Sequence, residues 1–434
     1  MKKMKLTTGL LLLATASTIT VQKANANGYE KSIAWGGHEA ALAGAAVPWV
    51  SGANALYFNP AGLVTDKPGS QVSIQLSPVQ SQNSGPVDTN NDQVNSLATT
   101  SLPGALIYSN TLNDRFGFGA GLYTSLGSKT EYDNVAMPGT VAQTATLYTN
   151  LTVLEFGLGG AYKVTDKLKL GLAYRVVMAQ ANLGMVSNLA ANGSAFLNLQ
   201  VNNAQQTSYS NFKLGSQYQL ADKTFLGLTF RSETPLSMPG NFSGVYSAAQ
   251  AVPVDTKQAT INTVLPMAID LGASQEYENW RAFAQYTWTQ YSRIGEIPVS
   301  GVLSAMGTTI KNGVNIPTRW SDENDIRLAG EYKGYSWPIR FGYMLSTQVT
   351  DANQAGVNFY APGLGHTLTA GTGQTWTTFG NPLTLDLAAE LGRVSGSGGV
   401  NAAGVGLDSS TNSTRAGTYT NMIYALHAGV TYGF

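Results

Sequence analysis

Residues 422–434 read MIYALHAGVTYGF, and their rhythm decides the fold. Met422, Tyr424, Leu426, Ala428, Val430, Tyr432 and Phe434 fall on one face at strict period two, with Ile423, Ala425, His427, Gly429, Thr431 and Gly433 on the other. A half-buried strand of a soluble sheet alternates in the same way, but such strands rarely run thirteen residues and stop on a terminal aromatic. Lipid on one side and a filled lumen on the other explain both faces.

The alternation recurs upstream. Leu168, Leu170, Leu172, Tyr174, Val176 and Met178 oppose Lys169, Gly171, Ala173, Arg175 and Val177, and Leu383, Leu385, Leu387, Ala389 and Leu391 oppose Asp386 and Glu390. Candidate strands lie near residues 70–80, 101–110, 115–126, 146–163, 167–182, 206–220, 223–233, 258–275, 279–294, 321–333, 337–348, 363–373, 382–394 and 418–434. The expected fold is thus an all-β transmembrane antiparallel barrel of about fourteen strands, an even number as bacterial barrels require. Short turns such as Asn113-Asp114, Thr165-Asp166 and Ala221-Asp222 alternate with long connections rich in Gly, Asn and Ser, as periplasmic turns and extracellular loops should. The turn from Thr372 to Asn381 is longer than this rule expects.

Composition agrees. The chain has 48 Gly, 21 Tyr, 7 Trp and only 12% charged residues, which suits strands wet on one face and lipid-facing on the other. Lys2, Lys3 and Lys5 precede an apolar stretch from Leu6 to about Ile19 and the small-residue site Ala24-Asn25-Ala26, so residues 1–26 read as a secretory signal peptide. A membrane anchor is the alternative, but the stretch is short of the roughly 20 apolar residues a spanning helix needs. No second long apolar run follows, which leaves a barrel as the membrane structure. The absence of cysteine removes disulfides and thiol chemistry, and a formal charge of zero lacks the basic footprint of a nucleic-acid partner.

Residues 27–69 show no sustained alternation, yet they hold Trp35, Leu42, Val47, Trp49, Val50, Leu56, Tyr57, Phe58 and Leu63. A segment so apolar is costly to keep in water, and a plug inside the lumen would bury it. Within it, Gly36 to Leu63 reads GGHEAALAGAAVPWVSGANALYFNPAGL and resembles the N-terminal hatch of FadL/TodX-type outer-membrane transporters, with Asn59-Pro60-Ala61 as the characteristic triplet. Phe230-Arg231-Ser232 with Gly240, Pro266 before Gly272, Tyr286-Thr287-Trp288, Trp320 with Asp325 and Arg327, Arg340 with Gly342, and Pro362-Gly363 before His366 extend the resemblance over nearly the whole mature chain. The terminal Phe434 is similar to the assembly signal read by the barrel-assembly machinery of the outer membrane.

The resemblance implies a barrel of residues 70–434 plugged by residues 27–69, importing hydrophobic molecules such as long-chain fatty acids or aromatic hydrocarbons by diffusion, without ATP or a cofactor. Two long loops after the fifth and seventh strands are the implied capture groove, with Met185, Leu189, Phe196 and Leu197 in one and Met238, Phe242, Val245 and Tyr246 in the other; self-packing or lipid contact is the alternative. On the lumen face, Arg175, Arg231, Arg281, Arg327 and Arg340 are candidates to hold a carboxylate, or else partners of Glu155, Glu331, Asp386 and Glu390 in networks that hold wall and hatch together. Gly117, Gly119 and Gly121 share one face of the third strand, where family members kink inward and release substrate sideways; room for the hatch explains the same glycines.

His38, His366 and His427 stand beside no nucleophile motif, so neither catalysis nor a metal site is expected. A surface receptor or adhesin displaying loops on a sealed barrel is the competing function. A general polar porin is disfavoured by the plug.

Overall fold

A computed structural model describes residues 33, 35–87, 93–136, 144–188, 196–247, 251–255, 257–354, 361–398 and 416–434, so the expected leader lies outside the described residues. Fourteen antiparallel strands form a closed wall: β1 (Gly69–Leu76), β2 (Gly104–Thr111), β3 (Phe116–Ala136), β4 (Thr144–Thr165), β5 (Leu168–Asn188), β6 (Phe196–Ala221), β7 (Thr224–Arg231), β8 (Ala268–Glu276), β9 (Trp280–Thr289), β10 (Glu323–Tyr332), β11 (Ile339–Ser346), β12 (Gly365–Thr378), β13 (Asn381–Gly398) and β14 (Gly417–Gly433). The ring shuts where β14 pairs with β1 from Leu76↔Ala428 to Gln71↔Gly433. Phe434 completes that seam by donating its N–H to Ser70 O at 2.9 Å and accepting the Ser70 N–H at 2.8 Å. Closure leaves the wall no unpaired edge to satisfy in lipid.

The wall is apolar outside and polar inside, the reverse of a soluble core. Leu106, Leu122, Leu172, Leu328, Leu368 and Leu426 are exposed on the outer face, whereas Ser73, Glu155, Arg175, Glu331, Asp386 and Glu390 are buried on the inner one. Hydrocarbon is the medium in which such an outer face is stable.

Three expectations change in detail. The candidate at 258–275 is two elements, an outer strand Lys257–Leu265 and the wall strand β8, divided at Pro266. The long turn from Thr372 to Asn381 vanishes, because β12 continues to Thr378 and only Phe379 (φ 52°) and Gly380 (φ 82°) make the turn. The two expected capture loops are strands: β5 and β6 extend beyond the wall, and Thr234–Ser247 pairs with β6 from Asn241↔Asn202 to Ser247↔Phe196. This outer sheet continues through Lys257–Leu265 to the hairpin of Glu296–Ala305 and Thr308–Pro317.

The segment before β1 folds into two short helices, α1 (Gly37–Ala41) and α2 (Ala55–Phe58), and a 3-10 turn, Pro60–Leu63. It touches strands on opposite arcs of the ring. The 3-10 turn packs on β4, β5 and β6, and α1 packs on β12, β13 and β14. Only an object inside the ring can meet both arcs.

Candidate functional site

The internal segment is fastened by Asn59. Its Oδ1 accepts the Ala61 N–H at 3.1 Å, capping the 3-10 turn, with Pro60 in the first-turn position where no N–H is needed. Its Nδ2 donates to Val47 O at 2.8 Å and to Ser216 O of β6 at 2.9 Å. The triplet therefore clasps the segment to the wall.

The wall is carved to match. A Cβ on Gly117 would lie 2.1 Å from Leu63 O, on Gly171 2.3 Å from Ala61 N, and on Gly215 2.1 Å from Asn59 Oδ1. On the neighbouring β7 one on Gly227 would lie 2.4 Å from Val47 O, and across the ring one on Gly342 would lie 2.6 Å from Ala43 N. Gly119 likewise faces Leu63, and Gly121 faces Ile107 of β2. The glycines of β3 thus make room. Its ladders to β2 and β4 run unbroken from Gly117 to Tyr123, and the irregularity comes further on.

That irregularity is the most consequential feature of the wall. The β2–β3 ladder stops at Ala105↔Tyr123, and opposite β4 the register shifts between Thr124 and Leu126, a bulge that turns Leu126 inward. Two freed carbonyls are met from inside: the Trp35 indole N–H donates to Thr124 O at 2.9 Å, and the Tyr57 hydroxyl donates to Ser125 O at 3.3 Å. Trp35 is fully buried, with ring centroids 4.8 Å from Tyr57, 5.3 Å from Phe58 and 6.1 Å from Tyr123. An aromatic cluster therefore backs the one stretch where β3 lacks its β2 ladder.

Above the internal segment lies a cleft whose lining includes Tyr57, Phe58 and Tyr123 together with Arg175, Lys213, Arg231 and Arg327 and the acids Glu155, Asp270, Glu323 and Asp325. Its charges are matched. Arg175 holds Glu155 through two N–H groups, and Arg327 donates to Asp325 at 2.6 Å. Lys213 donates to Tyr57 O at 2.6 Å, and Arg231 donates to Pro266 O at 3.3 Å. Outside the cleft, Arg340 bridges Glu331 (2.8 Å) and Asp386, while Arg281 meets Glu276 at 3.1 Å and lies over the rings of Trp49, Phe225 and Phe283. Charges away from water demand such partners.

The structure gathers most of the apolar candidates into one cluster. Met185, Leu197, Met238 and Phe242 are fully buried together, with Tyr246 packed against them; Val245 is half-buried, Phe196 is defined by its backbone pairing, and Leu189 lies outside the described residues. The same cluster descends through Val177, Val153 and Leu151 to Leu126 at the bulge. An apolar column thus runs from the outer sheet to the interrupted stretch of β3. Each histidine has a neighbour: His38 packs at a tilt against Trp49 with its Nε2 3.5 Å from Glu331, His366 meets the Tyr343 hydroxyl at 2.7 Å, and His427 meets Ser77 at 2.8 Å and Glu390 at 3.0 Å.

Sequence marks Trp35 and Tyr57 only as apolar residues of the segment before β1, not as site residues, and does not mark Lys213 at all. Trp35 and Tyr57 carried a signal as aromatics in a segment without strand rhythm. Lys213 carried none.

Among known proteins, the chain is 24% identical over 231 residues to outer membrane protein P1 of Haemophilus influenzae, covering 46% of this chain and 49% of that one. It is 24% identical over 210 residues to the long-chain fatty acid transport protein of Salmonella typhi, covering 43% and 47%. The chain spans about half the length of the curated relatives it matches. The crystal structure of the toluene transporter TodX of Pseudomonas putida superposes with a TM-score of 0.71 at 19% identity, covering 93% of this chain and 99% of that one, a likeness of fold. The model of the outer membrane protein transport proteins (OMPP1/FadL/TodX) matches residues 14–434, and the chain belongs to that family of outer membrane proteins.

Proposed function

We propose that this protein carries hydrophobic compounds, long-chain fatty acids or aromatic hydrocarbons, passively across the outer membrane. The outer sheet captures them, the apolar column leads them inward, and they leave sideways between β2 and β3 beside Leu126. The observation that carries this reading is the continuity of one apolar cluster from Phe242 and Met238 down to Leu126, where the wall ladder is interrupted. Each Å² of solute surface kept from water along that column is worth about 25 cal/mol, which a water-filled pore would not supply. The function named for the Salmonella typhi relative and for TodX supports the same class here.

In this reading residues 27–69 are the hatch. Asn59, Pro60 and Ala61 anchor it, and Trp35 and Tyr57 form the gate behind the bulge. The exit lies at Thr124–Leu126, while Gly117 and Gly119 serve as seats for the segment and Gly121 makes room for Ile107 of β2. Phe434 addresses the chain to the barrel-assembly machinery. The paired arginines are structural, so an uncharged solute needs no rearrangement of the lumen, whereas a carboxylate must compete with Glu155 or Asp325 for its cation.

Uptake of labelled toluene and oleate into cells with and without the protein tests the function. At least one solute should enter faster with the protein, and Leu126→Asp, which puts a charge in the column, should remove most of that gain. Uptake no faster than in cells lacking the protein refutes the reading.

A further inference from the structure

On the outward face of the wall the apolar band ends in a defined row. Leu368, Leu391 and Tyr424 stand side by side on β12, β13 and β14 and alternate outward with the exposed Leu387 and Leu426. One row further from the periplasmic end, the cross-strand neighbours are His366, Arg393 and Met422, continued by Gln82 on the outer strand Val79–Pro86. The next row is Ser395, Thr420, Ser84 and Asn95. Within four residues along β13 and β14, then, the surface passes from the hydrocarbon-facing Leu391 and Tyr424 through Arg393 and Met422 to the hydroxyls of Ser395 and Thr420. A Tyr at such a boundary marks the level of the lipid headgroups.

Arg393 is the charge on that boundary. Its outward placement follows from the register, since the buried Asp386 and Glu390 point inward and odd-numbered residues of β13 point out. It lines a cleft of about 690 Å³ with Gln82, Ser84, Asn95, Thr420 and Met422. Among the described residues it has no hydrogen-bond or ion-pair partner, and its Nε is buried and unsatisfied. Each lumen arginine discussed above meets a carboxylate or carbonyl oxygen by contrast, although Arg281 Nε, 3.1 Å from Glu276, and Arg175 Nη1 make no hydrogen bond themselves. A half-buried guanidinium held beside hydrocarbon requires an anion, and its planar fork suits phosphate oxygens.

We propose that Arg393 and the polar rows around it form a binding site for the phosphate of an outer-leaflet lipid headgroup, with Thr420, Ser84 and Asn95 as supporting donors and the row of Leu368, Leu391 and Tyr424 covered by the same lipid's acyl chains. The site faces away from the lumen and is separate from the transport path. It would fix the depth of this side of the barrel and order the lipid against it.

The test uses the purified full chain in detergent, with thermal unfolding and native mass spectrometry as readouts. The probes are a diphosphorylated acylated disaccharide, its dephosphorylated form, and inorganic phosphate. The phosphorylated lipid should bind and raise the unfolding midpoint. Arg393→Gln and removal of the lipid phosphates should each weaken that binding roughly fivefold or more, and Arg393→Lys should weaken it less. Equal binding of both lipid forms by the native chain refutes the site, a comparison that needs no variant and so stands even where Arg393→Gln misfolds. Equal binding of the phosphorylated lipid by native and Arg393→Gln chains also refutes it. Protection by millimolar inorganic phosphate as strong as that by the lipid identifies a free-anion site and overturns the lipid assignment.

Discussion

Replacing Asn59 by alanine should loosen the internal segment and leave the wall intact. The side chain makes three hydrogen bonds: the cap to Ala61 N (3.1 Å) and the two Nδ2 bonds to Val47 O (2.8 Å) and Ser216 O (2.9 Å). Loss of a cap costs about 1 kcal/mol. Each buried side-chain bond contributes about 1 kcal/mol more. Val47 O retains a bond from Gln217 Nε2 at 3.3 Å, so the penalty is not compounded there. The sum is about 3 kcal/mol, or about a hundredfold in the equilibrium for local detachment. Amide hydrogen exchange followed by mass spectrometry reads that equilibrium directly. Peptides covering residues 47–64 should exchange about a hundredfold faster in Asn59→Ala, while peptides of β5 and β13 exchange as in the native chain. A change below about fivefold in the 47–64 peptides, or equal acceleration in the wall strands, would refute the view that the triplet is a local clasp.

Two further outcomes follow from the buried charges. Glu155→Gln leaves Arg175 unpaired where both side chains are almost fully buried, and should cost about 3–5 kcal/mol, seen as a lower unfolding midpoint in detergent; Glu155→Gln with Arg175→Met should recover most of it, and a double variant no better than the single one contradicts the pairing. Glu39 sits on the internal segment, on no wall strand. Burial pushes its carboxyl above the ordinary range against the opposing pull of His38 and of the Asn54 amide, which donates to Oε1 at 3.0 Å while Oε2 has no partner among the described residues. A carboxyl raised on folding stabilises fully below its unfolded value, about 4.3, and that contribution is lost as pH rises through the higher folded value. Glu39→Gln should therefore exceed the native chain in thermal stability at pH 8 and lose that lead toward pH 4, and a lead independent of pH would refute the assignment.

Much of this architecture was legible in the chain because period two is imposed residue by residue. Leu168 to Met178 announces its outward face locally, and the final strand does so down to Phe434. Where the rhythm itself misleads, the reading failed. Leu126 keeps step with Phe116, Phe118 and Leu122, so parity alone would put it toward lipid, yet a single extra residue at the bulge turns it inward. The run 258–275 keeps its rhythm across Pro266 although the chain there leaves the outer sheet for the wall. Partnerships were less legible still. Glu155 and Arg175 can be named as inward charges from parity alone, but their pairing depends on the register of β4 against β5, which sets Glu155 opposite Val177 and Gly157 opposite Arg175. The role of Trp35 was hidden for the same reason, since its acceptor, Thr124 O, lies 89 residues away.

The glycine seats have a bearing on how such proteins can be recombined. Because Gly171 and Gly215 leave room for the backbone of Pro60 and the side chain of Asn59, and Gly342 does so for Ala43, wall and insert are cut to one template. A segment grafted from a relative meets a socket moulded to a different contour unless the matching small residues travel with it. Exchange of the outer sheet carries no such constraint at these seats. Chimeras that swap the exterior and keep insert and wall as one unit are therefore the practical route to altered capture on a conserved conduit.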